Sequence, residues 1–501
     1  MNSQVNKKNL SLKSFGVSCW QSPGFLLILG SLLAIASGMR WNVSIAAWIF
    51  PVPFLYYLRL GYSKKWLLLT LVFSFTLQVS KIVSDPFYIF IALFSGPLSG
   101  LFFWLIYLLK DKIRKLGGET ISIFALPVLI SIYEIVSARF SPLGTWGMFA
   151  NTQMEDLSFL QLVSVTGAAG IAFFMSWFAA LFEALLFALS EDKPDKNILS
   201  QIGVFATSIL AVYFFGVVRL DMARPSKVIE AATVSYKTYE VSDVMNSEDA
   251  RKDNNRHIIE LIEKAAQKNI SLVVTNEGAL FLLPTEVDST LEKLIQISKT
   301  YSTDLVVGYI IYKNKNEKFV NKSIWISKGE ILQNYHKQFV PPGEPSVHIA
   351  DEIKLLHTPF GAASMAICYD FDSISITDAH GKIHSSLVAL PSSDWRGIDP
   401  VHTQMSRIRA IENGYSVVRS VRAAASEVYD GLGRSRAMSL WKETENEIML
   451  AQVPVEPVFT IYKLAPNWFL WLNLLGLLLI IYKVWFSSSS SRNFLRHRPP
   501  P

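Results

Sequence analysis

Ala363-Ser364-Met365-Ala366-Ile367-Cys368-Tyr369-Asp370 opens as an apolar, strand-like run and breaks into polar residues at a cysteine. The chain has two cysteines, Cys19 and Cys368. That number excludes a disulfide framework and a thiolate-built metal site. A free cysteine after an apolar strand is either buried filler or a nucleophile, and the residues of this stretch alone leave both open. Two more polar residues stand at similar places, Glu277 after Leu272-Val273-Val274 and Lys337 after Ile331-Leu332. A carboxylate can take a thiol proton and a lysine can stabilise an oxyanion.

Around this stretch the segment 219–463 alternates apolar β-branched runs with amphipathic ones, which predicts an α/β layered domain. Strands are expected at 228–234, 271–275, 304–312, 321–327, 363–368, 386–390, 416–421 and 447–452. Helices are expected at 248–267, 287–299 and 400–413, the last closing on Asn413-Gly414, a C-cap composition. Polar groups at the carboxyl ends of strands are where α/β sheets place their sites.

Outside that segment the chain is unlike a soluble protein. Of its 501 residues 50% are hydrophobic, 13% aromatic and only 18% charged, with a mean hydropathy of +0.29; soluble chains carry about 25% charged residues. Apolar stretches near 24–38, 42–59, 66–83, 87–109, 120–138, 158–189, 200–218 and 465–486 read as eight spans, since a crossing helix needs about 20 mostly apolar residues. The net charge of +6 sits largely in the short connections. Lys7, Lys8 and Lys13 precede the first span; Arg59, Lys64 and Lys65 follow the second, Lys110, Lys112, Arg114 and Lys115 the fourth, and Lys193 and Lys196 the sixth. Cations mark the cytoplasmic side, so both termini are expected inside and 219–463 outside. The predicted organisation is a cytoplasmic segment 1–22, seven spans in 23–218, an extracytoplasmic domain 219–463, an eighth span 464–486 and a disordered tail 487–501. Lysines, an apolar stretch and Ala34-Ile35-Ala36 also fit a cleavable signal peptide; either way the later topology is unchanged.

Other polar residues have plainer readings. Glu134 and Glu183 lie within apolar stretches, where a carboxylate is expensive, and close enough to span ends for snorkelling or a packing hydrogen bond. Trp41 and Trp146 fit interfacial belts. His348, His357 and His402 show no metal-ligand spacing, so no metal is expected. Arg407, Arg409, Arg419 and Arg422 lie between apolar partners in the outer segment and do not predict a nucleic-acid partner.

The order Glu277, Tyr335-His336-Lys337, Pro342-Gly343-Glu344 and Ile367-Cys368-Tyr369-Asp370 resembles the Glu-Lys-Cys pattern of the nitrilase (carbon–nitrogen hydrolase) superfamily. Pro391-Ser392-Ser393-Asp394-Trp395 resembles its Asn-Asp-x-Trp turn, one residue shorter and with Arg396 beyond it, and His402-Thr403-Gln404-Met405 through Asn413-Gly414 resembles the helix that follows. Asn276 stands where the family commonly has proline, and Asp370 where it commonly has glutamate. A domain of this kind between a seventh and an eighth span, with Ser141-Pro142-Leu143-Gly144-Thr145-Trp146-Gly147 before it, is similar to the apolipoprotein N-acyltransferases, the membrane branch of the superfamily. The resemblance implies a nitrilase-like layered α/β sandwich beside a multi-pass helical domain, in a bacterial inner membrane. It implies a ping-pong acyl transfer: Cys368 as nucleophile, Glu277 as general base, Lys337 as oxyanion stabiliser beside the Tyr369 amide, and Glu344 orienting the lysine. The implied partners are a phospholipid acyl donor and a diacylglyceryl-cysteine apolipoprotein acceptor, with no cofactor and no metal, on a monomer. The alternatives are a membrane-tethered amidase that releases its acyl-enzyme to water, and a non-catalytic scaffold.

Overall fold

The computed structural model describes residues 22–191, 196–236, 241–314, 317–440 and 447–496; Cys19 lies outside them. The chain divides into two compact units, Met1–Ser131 with Ala172–Leu210 and Leu472–Pro501, and Ile132–Ile171 with Ala211–Trp471.

The first unit is helical. Helix Pro23–Ala36 is capped by Ser22 and starts on a proline, whose missing N–H costs nothing at that position. Helices Lys64–Ser80 and Ile89–Gly117 pack closely because Gly96 and Gly100 form a small-xxx-small pair. A Cβ on Gly96 would stand 2.5 Å from the Thr76 Cα, and one on Gly100 2.7 Å from the Val72 Cα.

Glu183 is buried here in an ion-pair network and does not snorkel. It takes Lys110 Nζ at 2.6 Å and Arg59 Nη2 at 3.0 Å, and Arg59 also makes a two-pronged contact with Glu119 at 2.8 and 2.6 Å. The sequence reading missed this pairing because the four residues come from separate helices. Removing one charge from such a buried set strands the others, a loss of about 3–5 kcal/mol.

Among the described residues five helices are long and apolar enough to cross a membrane: Ile89–Gly117, Glu119–Phe140, Ala169–Ser190, Lys196–Met222 and Trp468–Phe486. The first three expected spans take shorter forms. The stretch 24–38 overlaps the 14-residue helix Pro23–Ala36 and ends beyond it, 42–59 divides into Ser44–Ile49 and Pro51–Arg59, and 66–83 overlaps the 17-residue helix Lys64–Ser80 and likewise runs past its end. Pro51 and Pro53 account for the break, since proline is accepted in a first turn and not in a helix interior. The stretch 158–189 also divides, into Leu157–Leu160, Val163–Thr166 and Ala169–Ser190. Gly167, at φ +72, ends the second piece. The last helix runs Trp468–Arg496, so Ser487–Ser491, expected as part of a disordered tail, lies within helical bounds. An apolar helix already nucleated propagates cheaply through serines.

The second unit carries the layered domain. One sheet has the order β13-β1-β2-β4-β5-β6, with β3 paired to β4; its strands are β1 (Val228–Ser235), β2 (Leu272–Thr275), β3 (Leu280–Leu282), β4 (Asp304–Ile311), β5 (Val320–Ser327), β6 (Glu330–His336) and β13 (Glu447–Pro454). The other has the order β12-β11-β10-β9-β8-β7, from β7 (Leu356–Thr358), β8 (Gly361–Met365), β9 (Leu387–Ser393), β10 (Ser416–Arg422), β11 (Ser426–Tyr429) and β12 (Ser435–Ser439). The sheets face each other across a core of Ala231, Val274, Val306 and Trp325 from one and Ala363, Met365, Leu387 and Val418 from the other. Their outer faces are covered by helices. Glu248–Ala266 and Val287–Tyr301 lie on the first through Ile258, Ile262 and Leu294, and Val401–Asn413 on the second through Ala410. Gly414 caps this last helix in the left-handed conformation at φ +77, its N–H bonded to the Ala410 carbonyl, as its composition predicts. The order of layers is helix, sheet, sheet, helix. Strands buried on both faces read as continuous apolar runs, which is why β2, β4 and the first half of β9 stand out in the sequence.

Candidate active site

Cys368, the candidate nucleophile, stands where β8 runs out. Ala366 N still bonds to the Ala389 carbonyl of β9 at 3.1 Å, Ile367 is extended, and Cys368 opens a 3-10 turn, Cys368–Asp372, at φ +44. A non-glycine residue in that region costs of order 1–3 kcal/mol and persists only when its surroundings fix it. Asp370 does the fixing. One of its oxygens accepts from the amides of Gln338 and Phe339 at 3.0 and 2.7 Å, the other from the Ile367 amide at 3.0 Å and the Tyr335 hydroxyl at 2.9 Å. Four donors on one carboxylate tie the turn to the segment that follows β6, and the shorter aspartate side chain reaches all of them. Burial still pushes this carboxyl up to about 6 against those donors.

Lys337 leaves β6 buried, its amide bonded to the Asn321 carbonyl at 3.0 Å. Its ammonium lies 2.8 Å from Glu277 Oε1 and 2.5 Å from Glu344 Oε2. Glu277 follows β2 and is anchored by its own amide, bonded to the Ser392 carbonyl at 3.2 Å. Gly308 of β4 makes room for it: a Cβ there would stand 2.6 Å from the Asn276 carbonyl oxygen and 3.0 Å from the Glu277 Cα. Asn276, which replaces the family's proline, holds the Glu277 carbonyl through Nδ2 at 2.9 Å. Asn321 of β5 donates to Glu277 Oε1 at 2.7 Å. The sequence reading passed over Asn321; its signal was an amide at a buried place in an apolar strand.

The electrostatics set the resting state. Burial, then the charges of Glu277 and Asp394, push the Cys368 thiol well above its ordinary value, with Lys337 and Arg419 pulling the other way. The thiol therefore keeps its proton at neutral pH and needs a base to become a nucleophile. Burial alone would lower Lys337; the carboxylates of Glu277 and Glu344 override it and hold the ammonium well above its ordinary value.

A second charged group lies on the other side of the sulfur. Cys368 Sγ is 3.5 Å from the Ser393 carbonyl and 3.9 Å from Asp394 Oδ1. Asp394 accepts from His402 Nδ1 at 2.7 Å and from Arg419 Nη2 at 3.1 Å on each oxygen, and the other ring nitrogen of His402 lies 2.8 Å from Asp372 Oδ2. Burial would raise Asp394; His402 and Arg419 hold it down to about 2. Cys368 Sγ, a carboxylate oxygen of Asp394 and a ring nitrogen of His402 lie within 4.8 Å of one another, a proximity that sequence spacing does not reveal. The Arg419 guanidinium lies within 3.1 Å of both Asp394 and His402, so the carboxylate is already matched by fixed positive charge. Arg419, read as one of several arginines between apolar partners, is fully buried close to Cys368. Trp146, expected in an interfacial belt, packs its ring on His402 with centroids 5.5 Å apart. The Tyr369 hydroxyl bonds to the Pro142 carbonyl at 3.0 Å. Glu134 makes the packing hydrogen bond expected of it, accepting from the Phe149 amide at 2.6 Å.

The fold thus brings Glu277, Lys337, Glu344, Cys368 and Tyr369 to one place. Residues 30–181 match the model of the apolipoprotein N-acyltransferase N-terminal domain, and residues 245–448 that of the carbon–nitrogen hydrolases. An apolipoprotein N-acyltransferase of Haemophilus influenzae is 24% identical over 361 residues, covering 64% of this chain and 64% of that protein. One of Chlorobaculum tepidum is 23% identical over 513 residues, covering 89% and 93%. A carbon–nitrogen hydrolase of Helicobacter pylori of known structure is 16% identical, with a TM-score of 0.39 over 46% of this chain and 89% of that one. With both domain types in one chain, in that order, the protein belongs to the apolipoprotein N-acyltransferases, the bacterial membrane branch of the carbon–nitrogen hydrolase superfamily.

Proposed function

We propose that the chain moves an acyl group from a membrane phospholipid to the N-terminal amine of a diacylglyceryl-cysteine apolipoprotein, by way of a thioester on Cys368. The observation that carries this reading is the ion chain Glu277–Lys337–Glu344, buried at Glu277 and Lys337, in the domain that holds a strained cysteine whose thiol is pushed well above its ordinary value. In the first half-reaction Glu277 takes the thiol proton, Sγ bonds to the ester carbonyl carbon, and the oxyanion is stabilised by Lys337 and the Tyr369 amide. The carbonyl re-forms as the ester C–O bond breaks, and Glu277 returns the proton to the departing lysophospholipid alkoxide. In the second, the acceptor amine gives a proton to Glu277 and attacks the thioester; the C–S bond breaks and the sulfur recovers its proton.

Mass spectrometry of lipoproteins from cells depleted of this protein is expected to show diacylated N-termini in place of N-acylated ones. Unchanged N-acylation on depletion would exclude the transferase and leave a water-resolved acyl-enzyme.

The reading places the chain in the inner membrane with eight spans and the catalytic domain outside the cytoplasm. The cation-rich connections support that sidedness, and a site facing the outer leaflet can meet two lipid substrates. A reporter fused after residue 230 is expected to be active outside the cytoplasm and one after residue 495 inside; the reverse at either point breaks the arrangement.

A further inference from the structure

We propose that His402 is a positioning residue for acyl transfer: its imidazolium ring buckles the nucleophile turn, through Asp372, to the end of β9, through Asp394, and so fixes where the Cys368 sulfur stands. This rests on the acyl-transfer reading above and extends it to a residue outside Glu277, Lys337 and Cys368.

The geometry decides the protonation. A neutral imidazole has one N–H and one acceptor nitrogen, yet both ring nitrogens of His402 face carboxylate oxygens, at 2.7 and 2.8 Å. Nδ1 faces Asp394 with the Arg419 guanidinium also 3.0 Å away, and the other nitrogen faces Asp372, so two carboxylates against one guanidinium favour a ring that donates from both nitrogens and is charged. Its two partners belong to the two pieces of backbone that border the sulfur. Asp372 is the last residue of the turn that Cys368 opens, and Asp394 follows Ser393, whose carbonyl is 3.5 Å from Sγ. Asp372 also receives the Thr145 amide on its carbonyl at 3.0 Å, and the Trp146 ring covers the imidazolium at 5.5 Å, a cation–π distance.

The groups facing the ring are Asp372 from the turn, Asp394 from beyond β9, Arg419 from β10, and the rings of Trp146 and Tyr369. Burial lowers the affinity of the ring for its proton, the two carboxylates raise it more, Arg419 opposes them, and the balance stands at about 9. A group raised in this way contributes fully below its unfolded value of roughly 6.5 and is lost as pH rises through its folded one. Without the proton one nitrogen meets a carboxylate lone pair, and the buckle opens on one side. Misplacing a reacting atom by about 1 Å costs about 10²-fold in rate.

The test uses the full chain in phospholipid vesicles, with single-turnover formation of the Cys368 thioester followed by mass spectrometry, and the thermal midpoint, from pH 6 to 10. In the wild-type protein the rate and the midpoint are expected to fall together as pH rises through about 9. His402→Gln is expected to acylate about 10²-fold more slowly at pH 7 and to show no such alkaline limb. Asp372→Asn keeps the ring but removes one carboxylate, and should move the limb to lower pH. A limb unchanged in His402→Gln overturns the inference. Where that variant does not fold, an unmoved limb in Asp372→Asn does the same. If the wild-type chain forms no thioester from phospholipid at any pH, the acyl-transfer reading fails instead, while the midpoint still reports on His402.

Discussion

Cys368→Ala is expected to abolish both thioester formation and the N-acylated product, the largest single effect in the molecule. On the proposed mechanism the substitution removes the sulfur that holds the acyl group between the two substrates, and neither Glu277 nor Lys337 replaces it covalently at useful rates. The fold should survive, since the loss is a single buried atom that also borders the Ser393 carbonyl and Asp394, and the strain at φ +44 remains for alanine as for cysteine. Cys368→Ser is the sharper probe. The hydroxyl keeps the shape and the bond to the Ser393 carbonyl, but it holds its proton far more firmly than a thiol that is itself pushed well above its ordinary value. Attack on the ester should be slow and any ester formed long-lived, so the serine variant is expected to carry a trapped acyl chain, detected by mass spectrometry, without product. Turnover by the alanine variant above background would remove Cys368 from the mechanism.

How much of this was legible depends on what each residue had to say locally. β1, β2, β4, β9 and β10 are buried apolar runs and were read within a few residues of their bounds. β3, β7, β11 and β12 are three to five residues long and carry too few side chains to show a period; β12 holds Arg436 and two serines. Glu277, Lys337 and Cys368 were visible because each breaks an apolar run at its end. Asn321, Asp394, His402 and Arg419 were not, because their meaning lies in pairings between distant segments. Asp372 and His402 are 30 residues apart and meet through the packing of a turn on a helix. The one local hint was Arg419, a charge inside Val417-Val418-Arg419-Ser420-Val421, where every residue is buried. A charge in such a run needs a partner, and here the partner is Asp394. In the membrane segments apolar length was legible, and the breaks at Pro51 and Gly167 mark where length overestimates a helix.

Glu277→Gln and Lys337→Ala should both cost orders of magnitude and should differ in their response to pH. Glutamine keeps the shape of the base and loses its function; removing a general base costs about 10²–10⁴ in rate, and the loss should fall on thiolate formation. The same change removes one of the negative charges that push the thiol up, so Cys368 becomes easier to ionise. Rising pH then restores part of the acylation rate, most clearly between about 7 and 9, below the point at which His402 gives up its proton. Lys337→Ala acts on the transition state. Losing one oxyanion donor costs about 10²–10³, in both half-reactions, because each passes through a tetrahedral oxyanion. It also leaves Glu277 and Glu344 without the ammonium that lies 2.8 and 2.5 Å from them. Added hydroxide supplies no cation, and no rescue of the Lys337 variant with pH is expected. Single-turnover acylation and aminolysis, measured across pH, separate the two. If Glu277→Gln acylates like the wild-type chain at every pH, Glu277 only holds Lys337 in place and the base must be sought elsewhere, with Asp394, 3.9 Å from the sulfur, the next group to test.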